Sequence, residues 1–158
     1  MKNEIDIKLL VEYKQHIPHL AKLSYEQLGK HWNPNATIEG TEQKLLDHAN
    51  HNQLPMTLVA FENEHPIGIA SLRATDGIQP ELTPWLGGLV VNPLHRRKKA
   101  GELLINAVKQ QTLNFGYDKL YLLAFDATIP NWYASLGWKK IGVDQLFGHM
   151  VTVMDIHL

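Results

Sequence analysis

Residues 86–104, LGGLVVNPLHRRKKAGELL, constrain the fold of this chain more than any other stretch. An apolar run with two glycines ends at Asn92-Pro93, and a proline cannot continue a central strand. Four consecutive basic residues follow, Arg96, Arg97, Lys98 and Lys99, preceded by His95. A helical pattern opens directly behind them, with Leu103, Leu104, Ala107, Val108 and Leu113 at helical spacing and Gly116 as a stop. The next apolar run, LYLLAF at 120–125, reads as a buried strand. A strand, a helix and a second strand in this order imply a local parallel crossover.

The flanking sequence adds strands that cannot all be parallel. Residues 5–11 read as a first strand. Two helices are expected over 17–29 and 41–50, separated by a loop at 30–41 with Trp32, Pro34 and Gly40. MTLVAF at 56–61 and PIGIASL at 66–72, with the polar break ENEH between them, predict an antiparallel hairpin. A short helix over 130–136 is stopped by Gly137, and strands at 138–143 and 149–156 close the chain. The class is α/β, in the form of a mixed α+β sheet, and the length suits a single domain over 1–158.

Bulk properties narrow the function. Lys and Arg total 15 against 16 Asp and Glu, so a nucleic-acid partner is not expected, and the basic charge is local. With no cysteine there is no disulfide, thiolate metal site or Cys nucleophile. No stretch approaches the roughly 20 apolar residues that span a bilayer, and the N-terminus lacks the apolar core of a signal peptide, so no membrane association and a cytoplasmic location are expected. His48 and His51 lie three apart, but no further ligand stands in a zinc-like spacing with them, and no metal is expected.

The chemistry concentrates at the basic turn. The first N–H groups of a helix lack intrahelical partners, and with the helix dipole they attract anions. Ala100 and Gly101 are small enough to let a phosphate reach the backbone. Arg96 to Lys99 add side-chain charge at the same spot. A diphosphate is the natural ligand; a merely solvated turn is the alternative reading of the same residues.

The run Val91-Asn92-Pro93-Leu94-His95-Arg96-Arg97-Lys98-Lys99-Ala100-Gly101, followed by Leu103-Leu104, resembles the acyl-CoA signature V-x-P-x-x-R-x-x-G-x-G/A of the GNAT superfamily. A second landmark, Tyr133-Ala134-Ser135-Leu136-Gly137-Trp138, is similar to that family's Y-x-x-L-G-F/W element. The resemblance implies a GNAT-type fold of about seven strands with a central splayed parallel pair and four helices. It also implies an N-acetyltransferase that moves an acetyl group from acetyl-CoA to a primary amine of a small molecule or peptide by direct attack. The alternative within the same fold is a non-catalytic acyl-CoA-binding sensor or regulatory module. A nucleotide-binding domain of another family is disfavoured by the lack of a Walker-type G-x-x-x-x-G-K-[ST] run.

Specific roles follow from the resemblance. Backbone groups of Leu89, Val90 and Val91 would pair with pantetheine, and Arg96, Arg97, Lys98, Lys99, Ala100 and Gly101 would hold the pyrophosphate. Lys99 stands where the signature has its first glycine, which puts the turn's conformation in question. Tyr133 would act as general acid toward the departing thiolate, although a tyrosine there is also an ordinary packing residue. For the general base, Glu81 is the tentative choice, with Asp126, His149 or a water chain as alternatives. Trp32, Trp85 and His149 are expected to shape the acceptor pocket, with Phe147 beside them. A homodimer through the last strands is implied by analogy alone.

Overall fold

A computed structural model describes residues 4–158, the side chains of Arg96, Arg97 and Lys98 excepted. Seven strands, β1 (Ile5–Leu9), β2 (Met56–Glu62), β3 (His65–Arg73), β4 (Trp85–Val91), β5 (Lys119–Ala124), β6 (Lys139–Leu146) and β7 (His149–His157), form one sheet. Its order is β1-β2-β3-β4-β5-β7-β6. Neighbours are antiparallel except β4 and β5, which are parallel as the strand–helix–strand reading requires. The four helices are α1 (Ile17–Ser24), α2 (Ile38–Asp47), α3 (Ala100–Asn114) and α4 (Pro130–Ser135).

The core divides across the sheet by strand periodicity. Along β2, Leu58 and Ala60 face α3, where they meet Leu104, Ile105 and Val108. Val59 and Phe61 face the other way, toward Leu20, Ala21 and Leu45 of α1 and α2. Every residue of β2 is buried, so MTLVAF carries apolar residues on both faces, and its one polar residue, Thr57, is hydrogen-bonded through its hydroxyl to that of Ser71 at 2.6 Å. Burying a Leu or Val side chain contributes about 1.5–3 kcal/mol, so both faces of this strand anchor their helices.

Two hairpins use matching turns. Asn63 and Glu64 both have positive φ, 50° and 71°, the pattern of a two-residue turn whose twist suits antiparallel strands. Phe147 and Gly148, at 53° and 79°, do the same between β6 and β7. The sheet is also bulged in β4. Ile69 pairs with Val90 and Ser71 with Gly87, so two steps on β3 match three on β4. Gly88 takes φ +62° there, a conformation glycine reaches without a Cβ penalty.

Several boundaries differ from the sequence reading, the first strand ending at Leu9 and not at Val11, and the second helix at Asp47 and not at Asn50. The first helix does not stop at Gly29; a π-helical turn, Tyr25–Gly29, carries it on to Lys30–Trp32. The second begins at Ile38, not near 41, because Thr37 caps it through Oγ1, which accepts from Gly40 N at 2.9 Å. The sixth strand runs from Lys139 to Leu146, three residues beyond its expected end.

Candidate active site

The parallel pair is where the sheet opens. Among the described residues, β4 and β5 share the register pair Trp85 and Tyr121, supported by Tyr121 N donating to Pro84 O at 3.0 Å. Beyond it the strands part, and a cleft of about 770 Å³ lies between them. Residues 86–89 of β4 form one wall, and residues 122–126 form the other with Tyr133 of α4. The open end is bounded by Trp32, by Lys44 and His48 of the α2 segment, and by the loop after β3.

The basic turn sits at the far end of β4. Asn92 Oδ1 accepts from Leu94 N at 3.0 Å and starts a 3-10 segment, Pro93–Lys98. Lys99 then adopts the left-handed conformation, φ 62° and ψ 17°, and α3 begins at Ala100. The position that the signature gives to glycine therefore has the glycine conformation here, with a lysine in it. A left-handed non-glycine residue costs about 1 kcal/mol or more, which the surrounding structure must offset. Ala100 is fully buried, and a Cβ on Gly101 would stand 3.4 Å from the Trp132 ring, so an indole flanks the helix start. The side chains of Arg96, Arg97 and Lys98 lie outside the described residues.

Tyr133 is 7% exposed, between Trp132 (ring centroids 4.9 Å) and Trp138 (5.8 Å). Burial pushes its hydroxyl well above the ordinary tyrosine range, so it remains protonated and able to donate. Aromatic rings build the pocket mouth. Trp32 stacks on Phe125 at 5.4 Å, Phe125 on Phe147 at 6.3 Å, and His149 meets Trp32 edge-on at 5.1 Å. Trp32, Phe125 and Phe147 line the cleft, with His149 packed against them.

Other sequence candidates fall elsewhere. Of the pantetheine-pairing trio, Leu89 lines the cleft, whereas the side chains of Val90 and Val91 are buried in opposite halves of the core. Trp85 is wholly buried with Ile78, Val151 and Val153, its Nε1 donating to Leu82 O at 2.7 Å; it shapes the core, not the cleft. Glu81 is exposed on the loop before β4 and does not line the cleft. Asp126 does line it, but accepts from Thr128 N and Oγ1 at 2.9 and 2.7 Å, which hold its carboxyl below the usual range. His48 and His51 diverge: His48 is buried at the end of α2, and His51 faces Glu12 at 3.5 Å.

Among the cleft residues, Lys44, Arg73 and Asp76 escaped the sequence reading, and His48 was weighed there only as a metal ligand. Arg73 Nη1 donates to Asp76 Oδ1 at 2.7 Å. Burial, then the charges of Arg73 and Lys44, lower His48 to about 4, so it is neutral near pH 7; Asp47 opposes the shift. Lys44 is lowered first by Arg73 and next by burial, with Asp76 opposing. The spacings Lys44-x-x-x-His48 and Arg73-x-x-Asp76 were the available signals, each unremarkable until the fold joins them.

The sequence profile of the acetyltransferase (GNAT) family matches residues 17–138. No curated protein sequence matches the chain. Among solved structures, an aminoglycoside 6′-N-acetyltransferase complexed with coenzyme A superposes with a TM-score of 0.76 at 15% identity, over 96% of each chain. The PaiA N-acetyltransferase of Thermoplasma acidophilum, in complex with coenzyme A, gives 0.72 at 20% identity, over 98% of this chain and 99% of that one. A GNAT acetyltransferase of Streptococcus pneumoniae gives 0.70 at 18% identity, over 98% and 100%. At these identities the superpositions establish the fold. With the profile spanning both the basic turn and the Tyr133 element, the chain belongs to the acetyltransferase (GNAT) family.

Proposed function

We propose that the protein transfers the acetyl group of acetyl-CoA directly to the primary amine of a small acceptor. The observation that carries this reading is the parting of β4 from β5 immediately before a basic turn that ends on left-handed Lys99. Pantetheine would lie along residues 89–91 as an added strand, with its diphosphate over residues 96–101. Lys99 already holds the left-handed backbone of the signature glycine, which supports acyl-CoA binding at this turn. The amine lone pair attacks the thioester carbonyl, the C–N bond forms, and the C–S bond breaks. A backbone N–H near Leu89 polarises the carbonyl oxygen, and Tyr133 protonates the departing sulfur. The ammonium proton leaves through cleft water, since Asp76 is held by Arg73 and Asp126 by Thr128.

The test is a calorimetric titration with acetyl-CoA, with ATP as control, followed by thiol release with an amine panel. Micromolar binding selective for acetyl-CoA, with amine-dependent thiol release, is expected. Binding without release from any amine would favour the sensor; exclusive ATP binding would sink both. A homodimer is proposed on the exposed apolar side chains Ile141, Val143 and Met150 of β6 and β7, and sedimentation of a Val143→Glu variant tests it.

A further inference from the structure

The wall of the cleft formed by α2 and the end of β3 carries a charge pattern that acetyl transfer does not itself use. Arg73 and Asp76 are paired at 2.7 Å, and both side chains are largely buried. The guanidinium presses on the glycine pair of β4: a Cβ on Gly87 would stand 2.5 Å from Nη1, and one on Gly88 2.8 Å from Nη2. Asp76 accepts from one of its nitrogens, while Nε is buried with no hydrogen-bond partner among the described residues. Lys44 lines the same wall and has no ion-pair partner among those residues. One turn along, His48 is 8% exposed, and its buried Nδ1 is also without a partner.

Asp76 does not cancel this positive field. At Lys44 the charge of Arg73 outweighs that of Asp76, and at His48 the two cations outweigh Asp47. The other cleft-lining carboxylate, Asp126, belongs to the β5 wall and is engaged by Thr128. A fold that buries an unsatisfied guanidinium N–H beside an unpaired lysine destabilises itself unless a ligand satisfies them.

We propose that this corner receives a carboxylate of the acceptor, so that the acceptor is a free amino acid or a comparably small amine with its carboxylate a few bonds from the nitrogen. The inference rests on the acetyltransferase reading above. Gly87 and Gly88, against which Arg73 lies, immediately precede Leu89, whose N–H would polarise the thioester carbonyl. Two strand residues span about 7 Å, which suits an amine and a carboxylate on one short molecule. A polycationic acceptor would instead set ammonium groups against Lys44 and Arg73, a like-charge arrangement that costs affinity.

The experiment pairs each L-amino acid with its own α-carboxamide, adds spermidine and an aminoglycoside, and reads thiol release from acetyl-CoA. Carboxylates are expected to exceed their amides in kcat/KM by about tenfold or more, the worth of one charge-assisted contact. In Lys44→Gln that preference should collapse through a rise in KM for the carboxylates. Equal or better turnover of amides, spermidine or the aminoglycoside would overturn the carboxylate site while leaving the acetyltransferase intact. A second arm titrates the protein, loaded with desulfo-CoA, with the same pairs by calorimetry. If no amine turns over, selective binding of the carboxylates still upholds the site, while the transfer reading fails. Equal binding of the pairs, or none, overturns it.

Discussion

Trp85 stands directly opposite Tyr121 in the sheet, their rings 5.6 Å apart, and immediately past this pair β4 and β5 diverge. The indole anchors the junction from below, in a cluster with Ile78, Val151 and Val153. The splay thus begins beside a buried aromatic cluster, and the bulge at Gly88 follows within the next turn of the pleat.

Removing the Tyr133 hydroxyl tests its role as proton donor. Tyr133→Phe keeps the ring packed between Trp132 and Trp138. Turnover should fall about 100-fold, as for loss of a general acid, with acetyl-CoA affinity nearly unchanged. Stopped-flow thiol release and calorimetry measure the two separately; unaltered kcat would remove Tyr133 from the mechanism.

Lys99→Gly should stabilise the protein. Relief of the left-handed penalty, about 1–2 kcal/mol, exceeds the extra chain entropy of glycine, about 0.5–1 kcal/mol. A rise in Tm of about 1–4 °C is expected in a thermal scan. If acetyl-CoA also binds more weakly in this variant, the Lys99 side chain contributes a contact to the diphosphate.

Gly88→Ala should do the opposite. Its φ of +62° is unfavourable for alanine by about 1–2 kcal/mol, and the new methyl would press on Arg73 Nη2 at 2.8 Å. A lower Tm and a raised acceptor KM are expected together. A loss of stability without a change in KM would separate the bulge from acceptor binding.

Acid stability should report His48. Its folded value, about 4, lies below its ordinary 6.5, so between these limits the unfolded chain takes up a proton that the folded chain refuses. The contribution is complete above pH 6.5 and is lost as pH falls toward 4, with a slope of at most about 1.4 kcal/mol per pH unit. Asp126 and Asp144, held below 3.8, act only in stronger acid. Tm measured across this window should decline in the wild type and flatten in His48→Gln; an equal slope in both would assign the effect to other groups.

The strand Trp85–Val91 and the helix behind it were legible because their apolar patterns end on unambiguous signals, Asn92-Pro93 at one end and Gly116 at the other. Trp32 was expected in a loop because it stands beside Asn33, Pro34 and Asn35; the π-turn carries the helix past Gly29 and brings the indole onto Phe125. Glycine at 40 likewise masked a helix start whose cap is Thr37. Trp85 illustrates the reverse failure: a strand places side chains on alternate faces, and sequence proximity to Gly87 does not say which face holds the cleft. The group of Lys44, His48, Arg73 and Asp76 has no motif at all. It exists only because β3 ends beside the α2 segment, and strand order is not written in any local pattern.

The seam between β4 and β5 has a further consequence. Four strands lie on one side of it and three on the other, and the backbone pairing that joins them is brief. A pantetheine arm in the gap would serve as a strand lent from outside, knitting the two leaves together. Ligand that binds only the folded chain stabilises it by mass action. The cellular supply of acetyl-CoA would then govern the lifetime of the protein against proteolysis as well as its rate of work.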